Sequence, residues 1–84
     1  MNYRLLIDFE ALEFLSGLKK SSQRLLQKRL RQIQDDPVAC SDYMERDPSG
    51  RPLHVSIADA FAITYWEDFA DRHVKVLEIA RADR

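Results

Sequence analysis

Residues 51–81 read RPLHVSIADAFAITYWEDFADRHVKVLEIAR, and this stretch decides the fold. Apolar and polar residues alternate along most of it, which is the pattern of half-buried β-strands. The alternating segments are Arg51–Ile57, Phe61–Glu67 and Val74–Arg81, separated by turns at residues 58–60 and 68–72. Consecutive strands joined by short turns pair antiparallel, so the last third of the chain predicts an antiparallel sheet.

The residues before this sheet predict one strand and two helices. Tyr3–Ile7 is a short apolar run typical of a buried strand. Apolar spacings of three and four residues predict a helix from Phe9 and a second helix capped by Ser21 or Ser22. The second helix ends at Asp36, because a residue before proline disfavours the helical backbone. Its apolar stripe consists of Leu26, Leu30 and Ile33.

The order of these elements predicts an α+β fold of the form β-α-α-β-β-β. A helix hairpin would pack on one face of a small antiparallel sheet, giving a two-layer sandwich. Residues 42–47 are a candidate for one further short strand. With 84 residues the chain is expected to form a single domain, 1–84.

Alternation also predicts which side chains face the helices and which face away from them. The predicted core-facing residues are Leu53, Val55, Ile57, Phe61, Ile63 and Tyr65. The predicted open face carries Pro52, His54, Ser56, Ala62, Thr64 and Trp66. On the last strand, apolar residues occur at positions that face the helices and also at positions that face away from them. Either a β-bulge or burial on both faces would explain this pattern.

Composition excludes some classes of protein. The net charge is −1 with 32% charged residues, so the chain lacks the strongly basic balance of many nucleic-acid-binding domains. Cys40 is the only cysteine and cannot form an internal disulfide, which favours a reducing compartment. No apolar run approaches the ~20 residues of a membrane span, and no leader is evident. These features predict a cytoplasmic protein without a membrane partner.

Two residues are the main candidates for chemistry. His54 lies on the middle predicted strand, and the pKa range of imidazole suits general acid or base catalysis; the alternative is a half-exposed strand residue. Arg81 near the end of the last strand has a guanidinium suited to phosphate, and the alternative is an ion pair with Glu78.

Other residues are candidates for binding. Arg51 and Lys75 are further candidates for phosphate contacts, and Trp66 could stack on a base or anchor a partner protein. The second helix also carries a basic run, which is either a solvated face or an RNA contact: Arg24, Lys28, Arg29 and Arg31. A metal pair at Glu67 and Asp68 is not expected, because spacing supplies no third ligand.

Nearly the whole chain resembles the RelE/ParE toxin family of bacterial toxin–antitoxin systems. The resemblance rests on the length, the order of elements, the opening strand Tyr3–Ile7 and the Asp36-Pro37 helix stop. It also rests on the strand Phe61-Ala-Ile-Thr-Tyr65 followed by Val76-Leu-Glu-Ile79.

The resemblance implies a toxin of a type II system, held by a cognate antitoxin. A RelE-like member would be a ribosome-dependent mRNA endoribonuclease that needs no metal or other cofactor. A ParE-like member would instead inhibit DNA gyrase without enzymatic activity. The implied roles are catalysis by His54 and Arg81, phosphate or RNA binding by Arg51, Lys75 and Arg84, and antitoxin contact by Trp66.

Two positions depart from the RelE pattern. Ala62 stands where these enzymes usually have an arginine, and no tyrosine follows Arg81. The loss of a cation that stabilises a transition state costs roughly 10²–10³ in rate. A non-enzymatic, antitoxin-binding homologue therefore stays open as the alternative function.

Overall fold

The strands and helices follow the predicted order. The computed structural model describes residues 3–82, and within them it contains five strands and two helices. They are β1 (Arg4–Ile7), α1 (Phe9–Ser16), α2 (Lys20–Asp35), β2 (Tyr43–Arg46), β3 (Pro52–Ala58), β4 (Phe61–Asp68) and β5 (His73–Arg81). The strands form one sheet of order β1-β5-β4-β3-β2. Both helices pack on one face of it, which confirms the predicted two-layer α+β fold.

The sheet is mixed rather than wholly antiparallel. Strands β2 to β5 form an antiparallel meander, and β2 is the further short strand that residues 42–47 suggested. Strand β1 pairs with β5 in parallel, from Arg4 opposite His73 to Ile7 opposite Val76. Parallel neighbours need a crossover connection. Here the chain between them crosses one face of the sheet as α1 and α2 before it enters the meander.

The helix boundaries agree with the sequence except at one cap. The carboxylate of Asp8 accepts the backbone N–H of Glu10 at 3.1 Å and caps α1. The predicted serine cap of α2 is wrong, because α2 already begins at Lys20, with Lys19 as an N-cap that makes no side-chain bond. Helix α2 ends at Asp35 with Asp36 as its C-cap, so the predicted stop before Pro37 is confirmed. No helix among residues 3–82 is long and apolar enough to cross a membrane.

The core lies between the helices and the sheet. Leu26 and Ile33 of α2 and Ile63 and Tyr65 of β4 are fully buried there, and Leu30 is nearly so. The Tyr65 hydroxyl is not left unpaired, since it donates a hydrogen bond to the carbonyl of Pro37 at 2.5 Å. This bond ties the segment after α2 to the centre of the sheet.

The predicted faces of β3 are inverted. His54 lies opposite Tyr65, and Ser56 lies opposite Ile63, so both point towards the helices. The guanidinium of Arg29 on α2 accordingly donates to the Ser56 hydroxyl at 2.8 Å. The turn between β3 and β4 has two residues, whereas the sequence predicted a three-residue turn at 58–60. This difference of one residue shifts the pairing of the two strands, so that each side chain of β3 points to the face opposite to the predicted one. The open face therefore receives the apolar set of β3: Leu53, Val55 and Ile57.

A β-bulge explains why apolar residues of β5 occur at both odd-numbered and even-numbered positions. Thr64 lies opposite Glu78 and Tyr65 lies opposite Val76, so Leu77 is the extra residue. The bulge lets Val74, Val76 and Ile79 all reach the core. Of the two explanations that the sequence left open, the bulge is confirmed.

Candidate functional site

Two cations flank the indole of Trp66 on the open face. The Arg51 guanidinium carbon lies 4.3 Å from the ring centroid, and Lys75 Nζ lies 4.9 Å from it. Lys75 is the cross-strand neighbour of Trp66, and Arg51 immediately precedes β3. We call these three residues the Trp66 cluster. It combines an aromatic ring with two cations that lie over the ring and can hold phosphate.

Acidic neighbours neutralise the two cations only in part. Lys75 Nζ lies 3.2 Å from the Asp68 carboxylate, and Arg51 Nε lies 3.9 Å from that of Asp47. The side chains of Arg51 and Lys75 remain 42% and 34% exposed. Both cations are thus positioned by acids yet accessible to an anion from solvent.

A histidine lies beside this cluster. His73 is opposite Asp68 at the β4–β5 turn and two residues before Lys75 on the same strand, about 7 Å away along it. Its Nδ1 is buried and has no hydrogen-bond partner within residues 3–82. Asp68, Asp71 and His73 also offer ligand atoms within 4.8 Å of one another. Such a trio could hold a cation, although the Lys75 ammonium already neutralises Asp68.

His54 does not lie on the open face, in contrast to the prediction. It is only 8% exposed and stacks on Tyr65, with ring centroids 5.2 Å apart. Its Nε2 lies 3.9 Å from the Glu67 carboxylate, which also accepts the Tyr3 hydroxyl at 2.6 Å. The reason is that the side chains of β3 point to the faces opposite to those predicted. His54 belongs to a buried polar network and does not adjoin Trp66.

Arg81 lies at the opposite end of the sheet from Trp66. It pairs with Phe61, and its guanidinium carbon lies 5.3 Å from that ring. Phe61 and Trp66 are five positions apart along β4, which corresponds to about 17 Å. The structure therefore does not bring His54, Arg81 and the Trp66 cluster together. Arg84 lies outside the described residues.

The middle of the open face is apolar with acidic residues at its rim. A groove of about 560 Å³ runs over Leu53, Thr64 and Leu77. Glu45 and Glu78 also line this groove, and so do Glu10, Ala11 and Phe14 of α1, so the groove is not confined to the open face. Ala62 and Ala80 lie opposite each other beside it. The open face thus has a cationic end and an acidic, apolar middle.

Comparisons with known proteins agree on the fold. No protein-family model matches the sequence, and no curated protein matches it. The RelE–RelB complex from the archaeon Pyrococcus horikoshii OT3 contains a chain with a TM-score of 0.83 and 20% identity, covering 100% of this chain and 99% of its own. The intact Escherichia coli RelBE complex gives 0.76, 20% identity and coverage of 98% and 99%. The RelBE2 complex of Mycobacterium tuberculosis gives 0.83, 12% identity and coverage of 96% and 99%.

The chain has the RelE fold. The match extends over the whole of the described structure, and it confirms the fold that the sequence resemblance predicted. Within this RelE fold, Arg51, Lys75 and Trp66 form one cluster that sequence reasoning proposed only as separate residues.

Sequence reasoning missed Asp68 and His73 as members of the site. The signal was present, because both flank the turn at residues 69–72 and a hairpin places such residues side by side. His73 is half-buried beside this turn. The open-face histidine of this RelE fold is therefore His73 rather than His54.

The Asp68–Lys75 contact predicts a dependence of stability on acid. Burial raises the pKa of the Asp68 carboxyl, but hydrogen bonds from the backbone N–H of Asp71 and from Lys75 outweigh burial, and the pKa is lowered overall. Because the pKa of Asp68 is lower in the folded protein than in the unfolded chain, its ionised carboxylate stabilises the fold at pH values above the unfolded pKa of about 3.9. This contribution is lost as the pH falls through the folded pKa.

The Asp68→Asn variant tests this dependence. Its free energy of unfolding should lie below that of the wild type at neutral pH, and the difference should shrink in strong acid. Urea unfolding at a series of pH values measures it. A difference that stays constant from neutral pH into strong acid would contradict the assignment.

Proposed function

We propose that this chain is the toxin of a type II toxin–antitoxin pair and that it cuts mRNA on the ribosome. The Trp66 cluster is the observation that carries the proposal. Two accessible cations lie over one indole, 4.3 and 4.9 Å from its centroid, and this arrangement suits a nucleotide. The phosphate would draw the cations off the ring, and the base would stack in their place. The RelE fold over the whole chain supports the same reading.

The chemistry follows from the groups in reach of a bound phosphodiester. The 2′-oxygen attacks phosphorus, the bond from phosphorus to the 5′-oxygen breaks, and one proton moves from the 2′-hydroxyl to the leaving oxygen. Arg51 and Lys75 would neutralise the charge that develops on the phosphate. His73 would supply the imidazole that accepts or donates the proton. This scheme requires no cofactor.

The proposal includes a cognate antitoxin. The similar solved structures include RelE chains in complex with RelB, and we infer a corresponding partner for this chain. Trp66, which is half-buried, would be a contact for it, as tryptophans are frequent interface anchors. An antitoxin that covers Trp66 would exclude RNA from the same ring. Because its target is the ribosome, the active toxin would be cytoplasmic.

One observation favours a second, non-enzymatic function. The middle of the open face carries Ala62 and Ala80, with Glu45 and Glu78 at the rim of the groove, where a phosphate would be repelled. An apolar surface with acidic edges suits a protein ligand better than RNA. Inhibition of gyrase, or binding of an antitoxin without catalysis, is this second candidate.

Induced expression separates the two candidates. The ribonuclease proposal predicts growth arrest within minutes to an hour, with new 5′ ends in translated mRNAs and reduced incorporation of labelled amino acids. Sequencing of mRNA 5′ ends before and after induction provides the measurement. Arrest with DNA-damage signs and intact mRNA would instead indicate the gyrase alternative, and an absence of arrest would indicate a binding protein.

A further inference from the structure

Strand β2 is a free edge of the sheet. It stands last in the strand order and pairs with β3 on its inner side, and all four of its residues are exposed. Met44 is 55% exposed and Tyr43 is 48% exposed, although both side chains are large and mainly apolar. No strand within residues 3–82 pairs with the outer side of β2, so its backbone groups there are open to a strand of another molecule.

The ladder between β2 and β3 shows which backbone groups face outward. The N–H of Asp47 donates to the carbonyl of Arg51 at 3.1 Å, and these residues continue the register just beyond Arg46 and Pro52. Hydrogen-bonded and non-bonded pairs alternate in an antiparallel ladder, so Arg46 and Met44 direct their N–H and C=O groups away from β3. Pro52 agrees with this pattern, because it has no N–H to donate and lies opposite Arg46.

The side chains along this edge are complementary to a reversed copy of themselves. In a two-fold symmetric pair, an antiparallel second copy of β2 can lie with Met44 on the axis. Asp42 then lies opposite Arg46 of the second copy, and the same pair recurs on the other side of the axis. Tyr43 likewise lies opposite Glu45. Opposite charges that face each other on neighbouring strands stabilise the pairing, and the symmetry doubles each contribution.

We propose that two copies of this chain pair through β2 in this register and form a symmetric dimer with one continuous sheet. Each Met44 N–H would donate to the Met44 carbonyl of the other copy, which gives a reciprocal pair of hydrogen bonds at the axis. The next register, with Glu45 on the axis, would set two carboxylates directly opposite each other, which is destabilising. The charges therefore select the register that is centred on Met44.

Asp42 and Arg46 are held at this edge and keep the capacity to bond across it. The Asp42 carboxylate accepts the backbone N–H of Ile57 at 2.6 Å, and Arg46 donates to the carbonyl of Gly50 at 2.7 Å. A carboxylate accepts more than one hydrogen bond and a guanidinium donates several, so both can also pair with the second copy. Because β2 has only four residues, the interface is small and the dimer is expected to be weak. The inference goes beyond the proposed function and does not depend on it.

Sedimentation velocity over a series of protein concentrations tests the dimer. We expect a reversible equilibrium between monomer and dimer. In the Arg46→Glu variant the dissociation constant should rise about tenfold or more, because the new carboxylate would lie opposite Asp42 on both sides of the axis. Arg4→Glu is the matched control, since it makes the same charge change on β1 at the other edge of the sheet and should leave the dissociation constant unchanged. Circular dichroism melts verify that both variants are folded.

Cysteine cross-linking tests the register independently, in a chain whose native cysteine is removed by Cys40→Ala. The Cα atoms of a hydrogen-bonded antiparallel pair are about 5.5 Å apart, which a disulfide can span. Met44→Cys should therefore give a covalent dimer under mild oxidation. Arg46→Cys should not, because each position 46 would lie about 14 Å from its counterpart.

Three results would overturn the proposal. They are a monomer at every concentration, a loss of dimer in Arg4→Glu equal to that in Arg46→Glu, and equal cross-linking by Met44→Cys and Arg46→Cys. A monomer at every concentration would assign the edge of β2 to an extended segment of a different protein.

Discussion

Under the proposed ribonuclease function, replacement of Arg51 and Lys75 together by glutamine is expected to lower the rate of RNA cleavage by about 100-fold or more. Both cations lie within 5 Å of the Trp66 ring centroid and remain accessible. When the base of a nucleotide stacks on Trp66, its phosphodiester would contact both cations. The variant therefore removes two positive charges from the position where negative charge develops. The fold should persist, since neither side chain is part of the buried core.

Cleavage of mRNA by the purified variant on programmed ribosomes is the measurement. Lys19→Gln/Arg46→Gln is the matched control, because it also removes two positive charges. The sequence-based assignment to His54 and Arg81 makes a different prediction, namely that the His54→Ala/Arg81→Ala variant is the inactive one. Full activity of the Arg51/Lys75 variant, with loss only in the His54/Arg81 variant, would contradict the site at Trp66.

Truncation of Tyr65 to alanine is expected to destabilise the protein by about 3–5 kcal/mol. Tyr65 is fully buried between α2 and the sheet, where His54 stacks on its ring. The substitution removes the ring and also leaves the Pro37 carbonyl without its hydrogen bond. For a small domain whose total stability is about 5–15 kcal/mol, such a loss can leave little folded protein.

Urea unfolding of a variant series separates the two contributions. Tyr65→Phe keeps the ring and loses only the hydroxyl, so about 1 kcal/mol is expected. Tyr43→Ala is the matched control, since Tyr43 is 48% exposed on the outer strand and should change stability by at most about 0.5 kcal/mol. Equal effects of Tyr65→Ala and Tyr43→Ala would show that Tyr65 does not anchor the core.

Most of the fold could be predicted because local chemistry dictates it. The spacing of Leu26, Leu30 and Ile33 defines the buried side of α2, and Pro37 ends the helix by sterics alone. The alternation in β4 places Ile63 and Tyr65 in the core as expected. Each of these features depends on residues within a few positions of one another.

The faces of β3 could not be predicted in the same way. Alternation states that Leu53, Val55 and Ile57 share a side, but it does not state which side that is. Both sets of β3 are largely buried, so apolar character does not separate them. The two-residue turn after Ala58 sets the pairing of β3 with β4. With this pairing, His54 faces the helices rather than the open face.

The sequence by itself determined the element order, the core stripe of α2 and the cationic character of that helix, since these depend on local periodicity and charge. Only the tertiary structure decided that Arg51 and Lys75 flank Trp66, that His73 lies beside them and that Arg81 lies about 17 Å away. The physical reason is that a site is an assembly of residues from different strands. Its composition depends on strand register, and one residue of register exchanges the two faces of a strand.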